Sequence, residues 1–139
     1  MRRAAALLLF LAAACGSARS MRPSTIPRPD LDVTLINELF FGSRSEAPAT
    51  IEVRVGNRSS LPIVLRRVEL SSPGMVEYEI VPTIREFRET IPPGESKAIT
   101  LFATARTTTS RPAEPLSLRA VLDFEGGGAV WRELVLARQ

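Results

Sequence analysis

Side-chain catalysis usually draws on imidazole, thiolate or paired carboxylates, and this 139-residue chain has no histidine and a single cysteine, Cys15. Ser-His-Asp and Cys-His arrangements are excluded, and so are imidazole metal sites. Carboxylates remain: Glu77 with Glu79 on one strand phase, Glu86 with Glu89 around Phe87-Arg88, and Asp123 with Glu125 around Phe124. Like charges at such spacing read as solvated or salt-bridged surface, which contributes little. A calcium loop needs more oxygen ligands, closer together, than Asp123 and Glu125 supply. Gly126-Gly127-Gly128 lacks the Lys-Ser/Thr and the helix of a phosphate cradle, so it reads as a hairpin connection. Asn57-Arg58-Ser59 spells an acceptor sequon but reads as a corner whose Asn side chain bonds nearby backbone. Trp131 is the only Trp and Tyr78 the only Tyr, too few for a row of sugar-stacking platforms. The expectation is a protein that is not an enzyme, with no cofactor, no metal and no small-molecule substrate.

The remaining chemistry is modification of Cys15. Arg2 and Arg3 form a positive start, residues 4–14 are an unbroken apolar run of 11, and Ala12, Ala13 and Ala14 lead directly to the thiol. The run suits the hydrophobic stretch of an export signal and falls short of the roughly 20 residues that span a bilayer. The segment resembles the lipobox of bacterial lipoproteins, with Ala12 in place of the usual Leu, and Gly16 and Ser17 suit a lipoprotein start. That resemblance implies cleavage before Cys15, a diacylglyceryl group on its sulfur and an acylated N-terminus. The competing reading is an ordinary signal-peptidase site at the same bond, with Ala12 and Ala14 as the small pair, giving a secreted soluble protein. Lipidation gives an unpaired exported thiol a use, and two or more chains anchor stably. The expected location is the cell envelope, lipid-anchored and facing the periplasm, at the outer rather than the inner membrane.

Three regions follow: a signal peptide at 1–14, a lipid-anchored Cys and flexible Pro/Arg tether at 15–30, and a domain at 31–139. The tether has three prolines, three serines and three arginines with one large aliphatic residue, Ile26, so no buried face is expected. The sequence pI near 10.0 and formal charge of +3 suggest a nucleic-acid or anionic-membrane partner. Arg2, Arg3, Arg19, Arg22 and Arg28 all precede the first acidic residue, however, and the domain from Asp30 holds 13 basic and 15 acidic residues. The basicity belongs to leader and tether, and a nucleic-acid partner is not expected.

From Leu31 the apolar period is two. Leu31, Val33 and Leu35 alternate with polar residues, as do Ile51, Val53 and Val55. Ile63 and Leu65 share one phase and Val68 and Leu70 the other, which predicts a β-bulge at Arg66-Arg67. A strand at 76–81 faces Val76, Tyr78 and Ile80 one way, and Ile84 and Phe87 mark a short edge segment. Pro92-Pro93-Gly94-Glu95 is a turn, after which Ile99, Leu101, Ala103 and Ala105 alternate. Residues 107–115 read as a loop, Leu116, Leu118, Ala120, Leu122 and Phe124 alternate, and 129–136 closes the domain. Residues 36–40 suit either a helical turn or a kinked continuation of the first strand, and the continuation is expected. The fold class is all-β, an immunoglobulin-like two-sheet sandwich of about seven antiparallel strands.

The stretch Ile51-Glu52-Val53-Arg54-Val55-Gly56-Asn57-Arg58-Ser59-Ser60-Leu61-Pro62-Ile63-Val64-Leu65 resembles the second and third strands of small bacterial Ig-like and LEA14-like (WHy-type) domains. Ile91-Pro92-Pro93-Gly94-Glu95-Ser96 is similar to the turn those domains carry, although Asn57-Arg58-Ser59 stands where Asn-Pro-Asn is usual. The resemblance implies a sandwich and, through LEA14-like proteins, a stress-protective role as the alternative to a binding or scaffold module for a protein partner. Open sheet edges are where such a module pairs with other chains, and Arg66, Arg67, Ile84 and Phe87 are the candidate partner surface.

Overall fold

The computed structural model describes residues 21–73, 77–109 and 115–138. Cys15, the leader and Val76 lie outside the described residues. Eight strands form: β1 (Asp30–Leu35), β2 (Glu46–Gly56), β3 (Ile63–Ser71), β4 (Tyr78–Ile80), β5 (Thr83–Ile91), β6 (Ser96–Thr107), β7 (Ser117–Gly126) and β8 (Ala129–Arg138). They make two four-stranded antiparallel sheets, ordered β1-β2-β6-β4 and β5-β3-β7-β8. The chain is an all-β two-sheet sandwich. Its strand order is that of a constant-type immunoglobulin domain, with β5 added on the free edge of β3.

The core follows from the alternation. Val53, Val55, Ile63, Leu65, Val68, Leu70, Leu118, Leu122 and Phe124 are all essentially buried, each worth roughly 1.5–3 kcal/mol for a large aliphatic or aromatic side chain. The phase slip in β3 is absorbed as expected. Leu65 lies opposite Phe124 of β7 and Arg67 opposite Asp123, so Arg66 is the extra residue, and Leu65 and Val68 both point inward. Between β7 and β8, Gly127 and Gly128 take φ of 56° and 77°, the paired positive angles that a two-residue hairpin loop requires.

Four expectations change. The strand count is eight, because β5 is a nine-residue strand paired along β3 from Ile63↔Ile91 to Leu70↔Thr83, not a short segment at 84–87. Its inward phase includes Arg85 and Glu89, which reach solvent because the strand lies at an edge, and this hides the alternation. β2 starts at Glu46 and contains Pro48. Ile36 N donates to Thr50 O at 2.9 Å, so the even-numbered residues of β2 face β1. Pro48 therefore lies on that side, beyond the end of β1, where a missing N–H breaks no ladder bond. Residues 36–40 form neither a helical turn nor a continuation of β1. Asn37 takes over the pairing with its side chain, accepting from Thr50 N at 2.6 Å and donating to Pro48 O at 3.0 Å.

The fourth change concerns the tether. Residues 22–29 pack against the sandwich instead of hanging free. Ile26 is fully buried against Gly126 and Gly127, where an added Cβ would meet its side chain at 3.4 and 3.0 Å. Arg22 and Arg28 both pair with Glu133 of β8, at 3.2 and 3.1 Å, and Arg28 also donates to Leu134 O at 3.1 Å. One well-placed isoleucine supplies the apolar contact, and two arginines flanking it supply the clamp.

Candidate functional site

β6 is paired along one side with β2, from Glu46↔Arg106 to Gly56↔Ser96. On its other side β4 covers only residues 105–107. The last rung there is Val81 N donating to Thr104 O at 2.8 Å. Pro82 follows, with no N–H to offer, and the chain crosses to Thr83 in the opposite sheet. Backbone groups of a strand alternate sides residue by residue. With Thr104 facing β4, the N–H and C=O groups of Phe102, Thr100 and Ala98 face the same way, and no strand among the described residues pairs with that stretch.

Where the chain crosses over, an open groove of about 380 Å³ separates residues 81–85 from residues 102–104. Two exposed apolar side chains border it, Phe102 at 69% and Ile84 at 47% exposure. Arg85 lies on the same wall. Its Nη1 donates to Ile84 O at 3.3 Å, and it has no carboxylate partner among the described residues. The lower end of the seam is clipped by an ion pair of Lys97 on β6 with Glu89 on β5. An inward-directed charge is a known guard against uncontrolled edge pairing. It leaves the stretch from Ala98 to Phe102 unguarded.

Of the four residues expected as a partner surface, Arg67 and Ile84 share the outward phase of the neighbouring strands β3 and β5, while Phe87 has the inward phase. Ile84 lines the groove. Phe87 is half-buried and packs on the core. Arg66 and Arg67 stand mid-sheet, paired with Glu125 and, at 3.2 Å, with Glu69. Phe102 and the crossover at Val81-Pro82 complete the site and were not singled out from sequence. The available signals were a large aromatic on the outward phase of β6 and a proline directly after a short strand.

The carboxylates with spacing suited to acid-base chemistry are mostly committed to arginine or lysine. Asp123 accepts from Arg132 Nε at 2.6 Å and Nη2 at 3.0 Å. These hydrogen bonds raise the guanidinium pKa above its ordinary value, against a lowering by partial burial. Glu79 lies 4.0 Å from Arg106, and Glu46 accepts from Arg106 Nη2 at 3.0 Å. Among the described residues no group of three or more Asp, Glu, Cys or His side chains is placed to hold a metal. No described helix is long and apolar enough to cross a membrane. Asn57 is buried with both its amide hydrogens engaged, by Leu61 O at 2.8 Å and Ile91 O at 2.9 Å, which closes the sequon in the folded domain.

No family model matches the chain, and no curated protein matches it. Among solved structures, the chain is similar to a FixG-related protein from Vibrio parahaemolyticus, at a TM-score of 0.41 and 12% identity. That match covers 81% of this chain and 95% of the other. It is also similar to a protein from Archaeoglobus fulgidus, at a TM-score of 0.41 and 9% identity, over 82% of this chain and 94% of the other.

Proposed function

We propose that the protein is a non-enzymatic, lipid-anchored module of the cell envelope that binds a protein partner. Cys15 carries the lipid, the domain faces the periplasm, and the working element is the open edge of β6. The observation that carries the binding role is the run of backbone groups at Ala98, Thr100 and Phe102 that no strand among the described residues pairs, beside an apolar-rimmed groove. Long unpaired edges invite strand pairing unless they are blocked, and here the guard at Lys97 stops short of the groove. The anchoring role rests on the small-residue approach to a lone cysteine.

Both halves have a direct test. Cys15→Ser is expected to move the protein from the membrane to the soluble fraction, and intact-mass measurement of the native chain should find a diacylglyceryl group. Continued membrane retention of the variant would sink the anchor. For binding, a photo-crosslinking residue at position 102 should capture one discrete envelope protein in cells, and the same residue at Arg119 on the outer face of β7 should not. Equal capture at both positions, or at neither, would remove the edge as the binding element. Protection of heated or dried client enzymes without any such complex would instead favour the stress-protective alternative.

A further inference from the structure

We infer that the β6 edge takes an extended, apolar-acidic segment of a partner protein as an added antiparallel strand. The inference rests on the function proposed above and names the chemistry of the partner. The register of β4 on β6, from Tyr78↔Thr107 to Ile80↔Ala105, sets the path that a continuing strand would follow. The chain itself leaves that path at Pro82, and no strand among the described residues fills the places opposite Phe102, Thr100 and Ala98. Main-chain hydrogen bonds supply affinity in this mode, and alternate side chains supply selectivity.

Two neighbouring positions of the incoming strand are specified. The residue beside Phe102 lies on the outer face, next to an exposed aromatic ring, and should be apolar. The adjacent residue, opposite Leu101, takes the inward phase on the side of Arg85, which lies four residues from Glu89 as Leu101 lies four from Lys97, and whose guanidinium has no carboxylate partner among the described residues. An aspartate or glutamate satisfies it there.

A second copy of this chain fits less well. Antiparallel pairing of two β6 edges centred on Thr100 places Lys97 of each copy opposite Ala103 of the other. That brings an ammonium into the groove that already holds Arg85. The occupant is therefore a different protein, contributing a short alternating segment.

The test uses the mature chain in detergent and N-capped nonapeptides, fluorescein-labelled at the C-terminus, that open on a variable pair followed by alternating Thr and Val. The opening pair is Leu-Asp, Leu-Lys, or Leu-Asp with alternate amides along the peptide N-methylated. The Leu-Asp peptide should bind about fivefold tighter than the Leu-Lys peptide, as for an oppositely against a like-charged cross-strand pair. Arg85→Glu should invert that preference, and N-methylation should cost at least about tenfold, the equivalent of one or two edge hydrogen bonds. Thr100→Pro, which removes an edge N–H, should weaken binding as the methylation does. Indifference to charge at the opening pair, or tight binding of the N-methylated peptide, overturns the inference. So does a concentration-dependent dimer that Arg85→Glu strengthens. Capture of a discrete protein from position 102 with all peptides failing would leave the binding function standing and reject strand addition. Peptide binding with no capture in cells would do the reverse.

Discussion

Asn57 shows how much of this fold hangs on single polar side chains. It donates to Leu61 O and Ile91 O and accepts from Ser59 N at 2.9 Å and Ser59 Oγ at 2.8 Å, while its own backbone bonds Glu95 O and Gly94 N. One residue thus ties the β2–β3 corner to the β5–β6 turn. Asn57→Ala strands the buried Ile91 carbonyl and the Ser59 N–H and leaves Leu61 O to Ser59 Oγ alone, and should cost about 2–4 kcal/mol in denaturant unfolding. Asn57→Asp keeps the acceptors and loses the donors, placing a carboxylate against carbonyl oxygens in a dry site. Burial raises the folded-state pKa of that Asp above its unfolded value. The protonated form is then the one that folds well, so stability is retained at low pH and lost as pH rises through the raised pKa. The deficit against the native chain should shrink from pH 7 to pH 4, and a pH-independent deficit would contradict this account. Trp131 is the opposite case, a buried indole stacked on Phe124 at 5.6 Å whose Nε1 has no hydrogen-bond partner among the described residues. Trp131→Phe removes that orphan donor while opening some space. The two effects nearly cancel, and a change within about 1 kcal/mol is expected by thermal unfolding.

At the scale of elements, what the alternation reveals depends on which groups a strand must satisfy. β7, central and buried on its inner face, reads directly as Leu118, Ala120, Leu122 and Phe124, and the bulge in β3 is visible because its inward phase slips between Leu65 and Val68. β5 is hidden because an edge strand tolerates Arg85 and Glu89 on the inward phase. The start of β2 is hidden by Pro48, whose harmless position depends on where β1 ends. The groove is the least legible feature, because it arises from two strands distant in sequence and from a crossover that only the folded topology reveals. The open edge has a consequence within a single strand. Thr100 turns its N–H away from β2 and Ala103 turns its N–H toward Ala49. Thr100→Pro should therefore cost only about 1 kcal/mol, for the altered φ. Ala103→Pro breaks the ladder and should cost about 3 kcal/mol or more. Equal losses in paired melting curves would mean that the Thr100 N–H is engaged after all.

For the whole molecule, the clamp at Glu133 changes what the tether does. If Cys15 carries the lipid, the chain is fixed to the sandwich again by Arg22, so the span between them is at most roughly 25 Å at full extension. A tether free to Asp30 would reach roughly twice as far. A lipid on Cys15 would then hold the clamped domain close to the bilayer through the strap along β8 and the β7–β8 hairpin, with the open β6 edge belonging to the other sheet. Two contacts of different kinds hold the strap: the burial of Ile26 and the ion pairs of Arg22 and Arg28 to Glu133, whose side chain is only 11% exposed. Ile26→Ala alone should cost about 2–4 kcal/mol if the strap is part of the cooperative fold, because the isoleucine fills space against the hairpin glycines. Glu133→Ala should add to this less than its full single effect, because both changes release the same segment. With both in place, proteinase K should cut within residues 22–29 while the sandwich stays intact, and the native chain should resist at those bonds. Cleavage of the native chain there at the same rate would mean that the strap opens freely and that the domain roams the full reach of a flexible linker.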